Sequence, residues 1–315
     1  FWGPPPPPSP PPPPPPPSTS PTTTAEPVIP SGLLAVYKPR GFTSSDAVAK
    51  VRSVLQRHMR EAVGRRVKVK VGHGGTLDPL ATGVLVLGVG GGCKQLTDYL
   101  SGSKRYRALG RLGAETETLD TEGKVVEECP ADHVTPEALL GALPDFRGDI
   151  EQVPPMFSAL HKDGKRLYEL ARQGITVERE SRPVTIHHLD LLQGPTEWAA
   201  ALPTAAGTAR VGHGLGDDDI CAPVPFSDPG AALALPDFAL DVECSGGTYI
   251  RSLISDLARH HSVQSCAHMT LLERTKQGPF TLDHCLPLSQ WTFDGICTHV
   301  EWCNTNVLAH ASNEQ

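Results

Sequence analysis

Proline crowds one end of this 315-residue chain: 16 of its 32 prolines lie within the first 30 positions. Proline lacks an amide hydrogen and holds φ fixed, so runs such as Pro4–Pro8 and Pro10–Pro17 enter neither helix interiors nor sheets and settle into extended polyproline II. Residues 1–30 therefore read as a disordered tail, a solvated tether whose one specific use would be as an SH3- or WW-type ligand. Any fold must be built from residue 31 onward, and the expected domain runs over 31–306 with 307–315 as a second tail. Within it, residues 194–236 are rich in Ala, Gly, Pro and Asp without a sustained hydrophobic period, so a flexible insertion is expected there. No stretch approaches 18 consecutive apolar residues, which excludes a membrane-spanning helix and predicts no membrane partner.

The remaining segments alternate in period. Leu33–Tyr37 reads as a buried strand stopped by Pro39 and Gly41. A helix follows, capped by Ser44 or Ser45, because Val48, Val51, Leu55 and Met59 recur at spacings of three and four with Lys50, Arg52, Arg57 and Arg60 outside the stripe. Strands are expected near Val67–Val71, Gly83–Val89, Arg105–Leu112, Val184–Leu192, Phe238–Cys244 and His268–Leu272. Helices are expected at Pro136–Leu143, at Leu167–Gln173 closed by Gly174, and at Tyr249–His261. A polar tail ends the chain. Strands separated by unequal helices and hairpins predict an α+β fold with a mixed sheet.

Charge is distributed unevenly. From Lys38 to Arg111 there are 15 Lys and Arg against four acids, a local net of +11 that the rest of the chain overturns to give −7 overall. Such a block fits a polyanion's footprint and, equally, a solvated basic face. The eight cysteines are scattered with no C-x-x-C pair, so neither zinc nor disulfides are expected and a reducing compartment fits.

The stretch Gly72–Gly83 is the most informative. Asp78 is the only acid between Glu61 and Asp98 and sits among glycines and apolar residues, where a carboxylate is costly to desolvate unless a cation answers it. A turn-capping Asp is the plain alternative. His73 lacks a second ligand at metal spacing and suits a place beside a nucleic-acid base. Lys104-Arg105-Tyr106-Arg107 interleaves an aromatic with cations, fitting phosphates and a base face, or else a half-buried strand tyrosine. Arg251 falls in the first turn of an expected helix, where it opposes the helix dipole and needs a carboxylate partner; Asp78 is the candidate. The glycines at 88–92 fail the phosphate-loop pattern at Cys93 and Gln95. Ser101–Lys104 lacks the companion motifs of a serine hydrolase.

Taken together, these segments resemble the TruB family of tRNA pseudouridine synthases. In family order the chain carries Lys38-Pro39 with Gly41, the Gly72–Gly83 loop, Lys104–Arg107, Arg147–Ile150 with Gln152–Pro155, Tyr249–Arg251, and Arg274 after Leu272. The resemblance covers about Gly32 to Thr281. It implies a pseudouridine synthase catalytic fold, with a central mixed, largely antiparallel sheet, flanking helices and a cleft. It further implies an enzyme that flips out a uridine, cleaves its glycosidic bond and rejoins the uracil through C5, with no metal and no organic cofactor. The implied partner is the tRNA T-loop at uridine 55, with other structured RNA stem-loops open and DNA not expected. Asp78, Tyr106 and Arg251 take the catalytic places, with Arg251 orienting Asp78 and Tyr106 stacking on the base or removing a sugar proton. Asp78 acts either as a nucleophile or by stabilising charge on the ribose. His73, Tyr249 and Leu272 would meet the base or its vacated stack, and Lys38, Lys104, Arg105 and the basic helix that follows Ser44 would meet the phosphates. Bacterial members add a C-terminal RNA-binding module, whereas about 30 mostly polar residues follow Thr281 here, too few for a domain. The tail and insertion point to a eukaryotic-type member in nucleus and cytosol, with a mitochondrial address open because the chain begins with Phe. A catalytically silent RNA-binding or RNA-folding protein on the same fold is the alternative.

Overall fold

The computed structural model describes residues 28–162, 164–192 and 235–309. Most of the Pro-rich tail, nearly all of the expected insertion and the last six residues lie outside the described residues. The principal elements in chain order are β1 (Gly32–Lys38), α1 (Ser44–Val63), β2 (Val71–His73), β3 (Thr82–Val89), α2 (Leu96–Ser101), β4 (Lys104–Leu112) and α3 (Pro136–Ala142). They continue with β5 (Gly148–Gln152), α4 (Leu167–Arg172), β6 (Arg182–Leu192), β7 (Asp237–Cys244), α5 (Ile250–Arg259), β8 (Ala267–Gln277), β9 (Phe280–Thr281) and α6 (Phe293–Trp302). Two small hairpins, Ala114–Thr116 with Val125–Glu128 and His161–Lys162 with Lys165–Arg166, stand apart from the sheet.

The nine-stranded sheet runs β1-β3-β8-β4-β7-β6-β5, with β2 on β3 and β9 on β8. All its pairings are antiparallel except β3 with β8, which is parallel and confined to Glu273 opposite Thr82 and Arg274 opposite Gly83. Gly83 makes that contact possible: its φ is +100°, and a Cβ there would lie 2.3 Å from the Arg274 carbonyl oxygen. Beyond those two residues β3 leaves β8 and pairs instead with β2 through Leu87–Val89. The segment 74–81 joins β2 to β3 at this parting, so the expected site loop lies where the sheet opens. The mixed, largely antiparallel sheet agrees with the α+β expectation.

Both faces of the central strands are covered. On one, Leu34, Val36, Leu85 and Leu87 join α1's Ala47, Val51 and Leu55 and α5's Leu253, Ile254 and Leu257 in the main core. On the other, Leu33, Ala35, Val84 and Val86 pack with Leu96, Phe280, Cys303 and Val307. That second layer corrects the expectation of a polar tail. Ile296, Val300, Cys303 and Val307 recur at spacings of four, three and four along α6 and the π-helical turn Cys303–Leu308, a buried helical stripe whose first two members join the main core and whose last two join the second layer.

Three boundaries also move. The cap of α1 is Thr43, not Ser44 or Ser45: its hydroxyl accepts the Asp46 amide while Asp46 accepts the Thr43 amide, a closed capping box. The strand expected at Val67–Val71 lies at Val71–His73, because pairing with β3 begins only at Val71. The strand expected around His268–Leu272 extends to Gln277, carried by its long antiparallel ladder with β4. The seven described cysteines are free thiols.

Candidate active site

Asp78 is positioned by its neighbours' backbones. The Leu77 amide donates to Ser44 Oγ at 2.8 Å, the Gly41 amide to the Pro79 carbonyl at 2.8 Å, and the Ala81 amide to the Asp78 carbonyl at 3.0 Å. The loop is therefore tied to the first residue of α1 and to the turn before it. From the other side, Gln277 Nε2 donates to the Gly74 carbonyl at 2.7 Å while its Oε1 accepts the Val86 amide at 3.1 Å. A fully buried glutamine with both ends engaged is a rigid clip.

Arg251, the second residue of α5, reaches this loop. Its Nε lies 3.0 Å from Asp78 Oδ2, and its side chain is 5% exposed against 34% for Asp78. The remaining guanidinium donors meet the Thr118 carbonyl at 2.7 Å and the Phe157 carbonyl at 2.9 Å, and Nη1 stands 3.8 Å from Asp120 Oδ2. A buried guanidinium needs such a complete set of partners. With Nη1 and Nη2 both held by other parts of the chain, its Nε has one orientation to offer Asp78. The start of α5 is itself held: Gln152 Nε2 donates to the Tyr249 carbonyl at 3.0 Å and its Oε1 accepts the Tyr249 amide at 2.8 Å.

Around this pair opens a cleft of about 320 Å³ lined by the loop at 75–78, Lys104 and Tyr106 of β4, Ser245 and residues 247–251, Leu272 and Arg274 of β8, and Ser158–Leu160. Six of the residues expected at the site thus converge: Asp78, Tyr106, Arg251, Tyr249, Leu272 and Lys104. Tyr106 is 8% exposed, and its hydroxyl is pushed above the usual phenol range by burial, with Arg274 partly opposing. Tyr249 shifts the same way for the same reason, with Ser158 and Arg251 pulling it back. The cleft so combines apolar and aromatic walls with one carboxylate and its fixed cation, room for a planar base beside an acid.

Three expected residues stand elsewhere. Lys38 is fully buried, its ammonium on the carbonyls of Pro39 (3.0 Å) and Phe42 (2.5 Å), and burial brings it down to about 7. It ties the turn before α1, with its ammonium turned onto backbone rather than toward the cleft. Arg105 forms a two-pronged pair with Asp241, both bonds 2.8 Å, so its fork is engaged within the sheet. His73 ends β2 just before the loop and does not line the cleft; its Nδ1 is buried without a partner, and burial, with Arg274, holds the imidazole below its usual range. Lys104 lines the cleft, but its ammonium is on the Leu100 and Gly102 carbonyls, both at 2.6 Å, and burial brings it to about 8.

Arg274 is the cleft residue that sequence reasoning left out of the site. It is 1% exposed, with Nε donating to the Val84 carbonyl at 2.7 Å and Nη2 facing the Gly75 carbonyl at 3.4 Å, so it joins β8, β3 and the loop. The available signal was its place in the family motif, two residues after Leu272, since two bulges in β8 hide from simple alternation which side Arg274 faces. Gln152 and Gln277 gave none, since a glutamine's type says nothing of whether both its ends are bonded.

Comparison with known proteins gives a consistent set of likenesses. The family model described as TruB family pseudouridylate synthase (N terminal domain) matches residues 60–208. Pseudouridylate synthase TRUB1 of Homo sapiens is 42% identical over 285 residues, covering 87% of this chain and 69% of that protein. The tRNA pseudouridine synthase B of Aromatoleum aromaticum is 39% identical over 262 residues, covering 83% and 68%. Schizosaccharomyces pombe tRNA pseudouridine synthase 4 is 35% identical, covering 84% and 83%. In fold, the chain is similar to one in the crystal structure of a Cbf5-Nop10-Gar1 complex, with a TM-score of 0.53 at 22% identity, covering 85% of this chain and 58% of that one.

Proposed function

The chain belongs to the TruB family of pseudouridine synthases, and from that membership we propose that it isomerises the T-loop uridine at position 55 of tRNA, using Asp78 as the essential carboxylate. The reaction exchanges one bond for another within the substrate. The N1–C1′ bond breaks, the uracil turns, the C5–C1′ bond forms, and a proton lost from C5 is balanced by one gained at N1. No electrons leave or enter, so the protein's part is to expose the nucleoside, hold it and manage developing charge.

Each part has a place in the cleft. The target base must leave its stack, at a cost of a few kcal/mol, and needs walls to receive it. Tyr106, Tyr249 and Leu272 supply those walls. Tyr106, held protonated by burial, suits stacking and hydrogen-bond donation better than proton removal. Asp78 presents a carboxylate, partly open to the cleft, that either adds to the sugar or base or stabilises positive charge on the ribose. Arg251 is the positioning residue: it fixes which face Asp78 turns toward the substrate.

The observation that carries the reading is the 3.0 Å contact between Arg251 Nε and Asp78 Oδ2 within a base-sized cleft. The test incubates full-length tRNA transcript and a T-loop stem-loop with the parent and with Asp78→Asn, and maps pseudouridine by site. Product at the T-loop uridine from the parent and none from the variant supports the reading. Equal product from both, or product only at another site, defeats it.

A further inference from the structure

The structure sorts the cations of the basic block by what they touch. Lys38 and Lys104 are buried on carbonyls, and Arg105 and Arg111 are paired with Asp241 and Asp237. The charge left facing solvent collects at the far end of α1 and in the segment after it, where Arg57, Arg60, Arg65, Arg66, Lys68 and Lys70 are exposed. Glu61 is the only acid between Asp46 and Asp78. There Arg52, Arg57, Arg60 and Arg66, with Ser53 and Gln56, line a concavity of about 420 Å³.

This concavity has a local cause. Gly64 closes α1 in the left-handed region, φ 71°, with its amide on the Arg60 carbonyl, which turns the chain back and brings Arg66 beside the last turns of the helix. Arg52 donates to the Val71 carbonyl at 2.9 Å, fixing the opposite wall. Among the described residues no carboxylate is in ion-pair distance of these four guanidinium groups. The helix dipole accounts for Arg60 in the last turn, but neither for Arg52 in mid-helix nor for Arg66 beyond the end. Like charges gathered in a concavity repel one another unless an anion joins them, and guanidinium forks match phosphate oxygens in pairs.

The groove is also coupled in position to the cleft. Ser44, at the start of α1, holds Leu77 next to Asp78. At about 1.5 Å per residue, Arg57 and Arg60 lie roughly 20–24 Å along the helix axis from that anchor. That is the span of an RNA stem, not of a single nucleotide. Resting on the proposed function, we infer that the groove on α1 is a second RNA-backbone site, which holds stem phosphates of the RNA substrate while its target nucleotide occupies the cleft. An arginine-lined hollow on an RNA-modifying enzyme, separate from the reacting pocket, supplies affinity without touching the chemistry.

The experiment uses the full chain, its Arg57→Gln/Arg60→Gln/Arg66→Gln variant and the matching triple lysine variant, with circular dichroism confirming that all three fold. Unmodified tRNA binding is measured across salt, and pseudouridine formation in single turnover at saturating RNA. The glutamine variant is expected to bind at least ~10-fold more weakly near 0.1 M salt, with a log–log salt slope shallower by about 2, since each phosphate contact contributes about 0.7–0.9. Its saturated rate stays within about twofold of the parent, and the lysine variant falls between in affinity while keeping the parental slope. Parental affinity and slope in the glutamine variant would overturn the inference. So would intact RNA binding with lost binding to phosphatidylserine vesicles, or to an acidic peptide, either of which assigns the face to another partner. If the parent binds tRNA but makes no pseudouridine, the proposed function fails while the binding comparison still decides the groove.

Discussion

The cleft and the α1 groove are both basic, and they use charge in opposite ways. In the cleft every cation is buried and already engaged: Arg251 with Asp78 and two carbonyls, Arg274 with Val84 and Gly75, Lys104 with Leu100 and Gly102. At the end of α1 and just beyond it, Arg57, Arg60 and Arg66 face water, and among the described residues no carboxylate is in ion-pair distance of them. The first arrangement fixes geometry before substrate arrives, at the cost of desolvation already met on folding. The second leaves charge surrounded by counterions, whose release favours a polyanion. Rate and affinity are thereby assigned to different parts of one chain, and substitutions in the two regions are expected to separate them.

The largest separation comes from Asp78→Asn, which keeps shape and removes charge. Single-turnover pseudouridine formation is expected to fall by ~10³-fold or more, the scale for losing a group that acts on the transition state. The RNA dissociation constant and its salt slope should stay at parental values. A matching fall in affinity would break the division, because it would mean the carboxylate contributes to holding RNA.

Next is Arg251→Ala, which leaves Asp78 without its cation and Asp120, 4% exposed, without a nearby one. Removing one member of a buried charge set costs about 3–5 kcal/mol, so chemical denaturation should show a loss of that order together with a ~10²-fold or greater fall in rate. Arg251→Lys should recover stability better than rate, since an ammonium cannot bond Asp78 and both carbonyls with a planar fork. A smaller effect is expected for Gln152→Ala, which frees the start of α5. About 1–3 kcal/mol of stability for the two unpaired Tyr249 backbone groups, with a lowered rate and unchanged KM, would identify Gln152 as a positioning residue.

Much of the cleft could be read from the chain, and the reason is physical. Asp78 was conspicuous as a lone acid among glycines, and Arg251 as a cation at the unfavourable end of a helix; each looked costly alone, and the structure joins them. Tyr106 followed from the cations interleaved with it, and Tyr249 and Leu272 from the family resemblance. The expected residues that stand outside the cleft are Lys38, Arg105 and His73, and the type of the first two predicts exposure. Lys38 is buried because its ammonium closes the turn that supports the loop, and Arg105 is engaged because Asp241 enters from β7 136 residues later. Such partners depend on strand register, which local pattern does not specify. The C-terminal helical stripe is diluted by polar neighbours and shows its purpose only once the sheet is in place: Ile296 and Val300 extend the main core, while Cys303 and Val307 cover the second face of β1.

Lys38 gives the smallest and most specific test, because it is a cation of the cleft's kind placed outside the cleft. Burial lowers its ammonium to about 7, well below an unfolded lysine's ordinary value of 10.5. Below pH 7 the group is charged in both states and the fold bears the full desolvation cost. Between about 7 and 10.5 the unfolded chain binds the extra proton, so stability gained from this group must rise with pH through that window. Lys38→Met removes the titration while keeping the buried stem. The stability difference, parent minus variant, should therefore shift in the parent's favour from neutral to alkaline pH in denaturant titrations. A difference that stays flat would mean the carbonyls of Pro39 and Phe42 hold the ammonium charged throughout. The turn that steadies Asp78 would then rest on a permanently charged group, as the cleft itself does on Arg251.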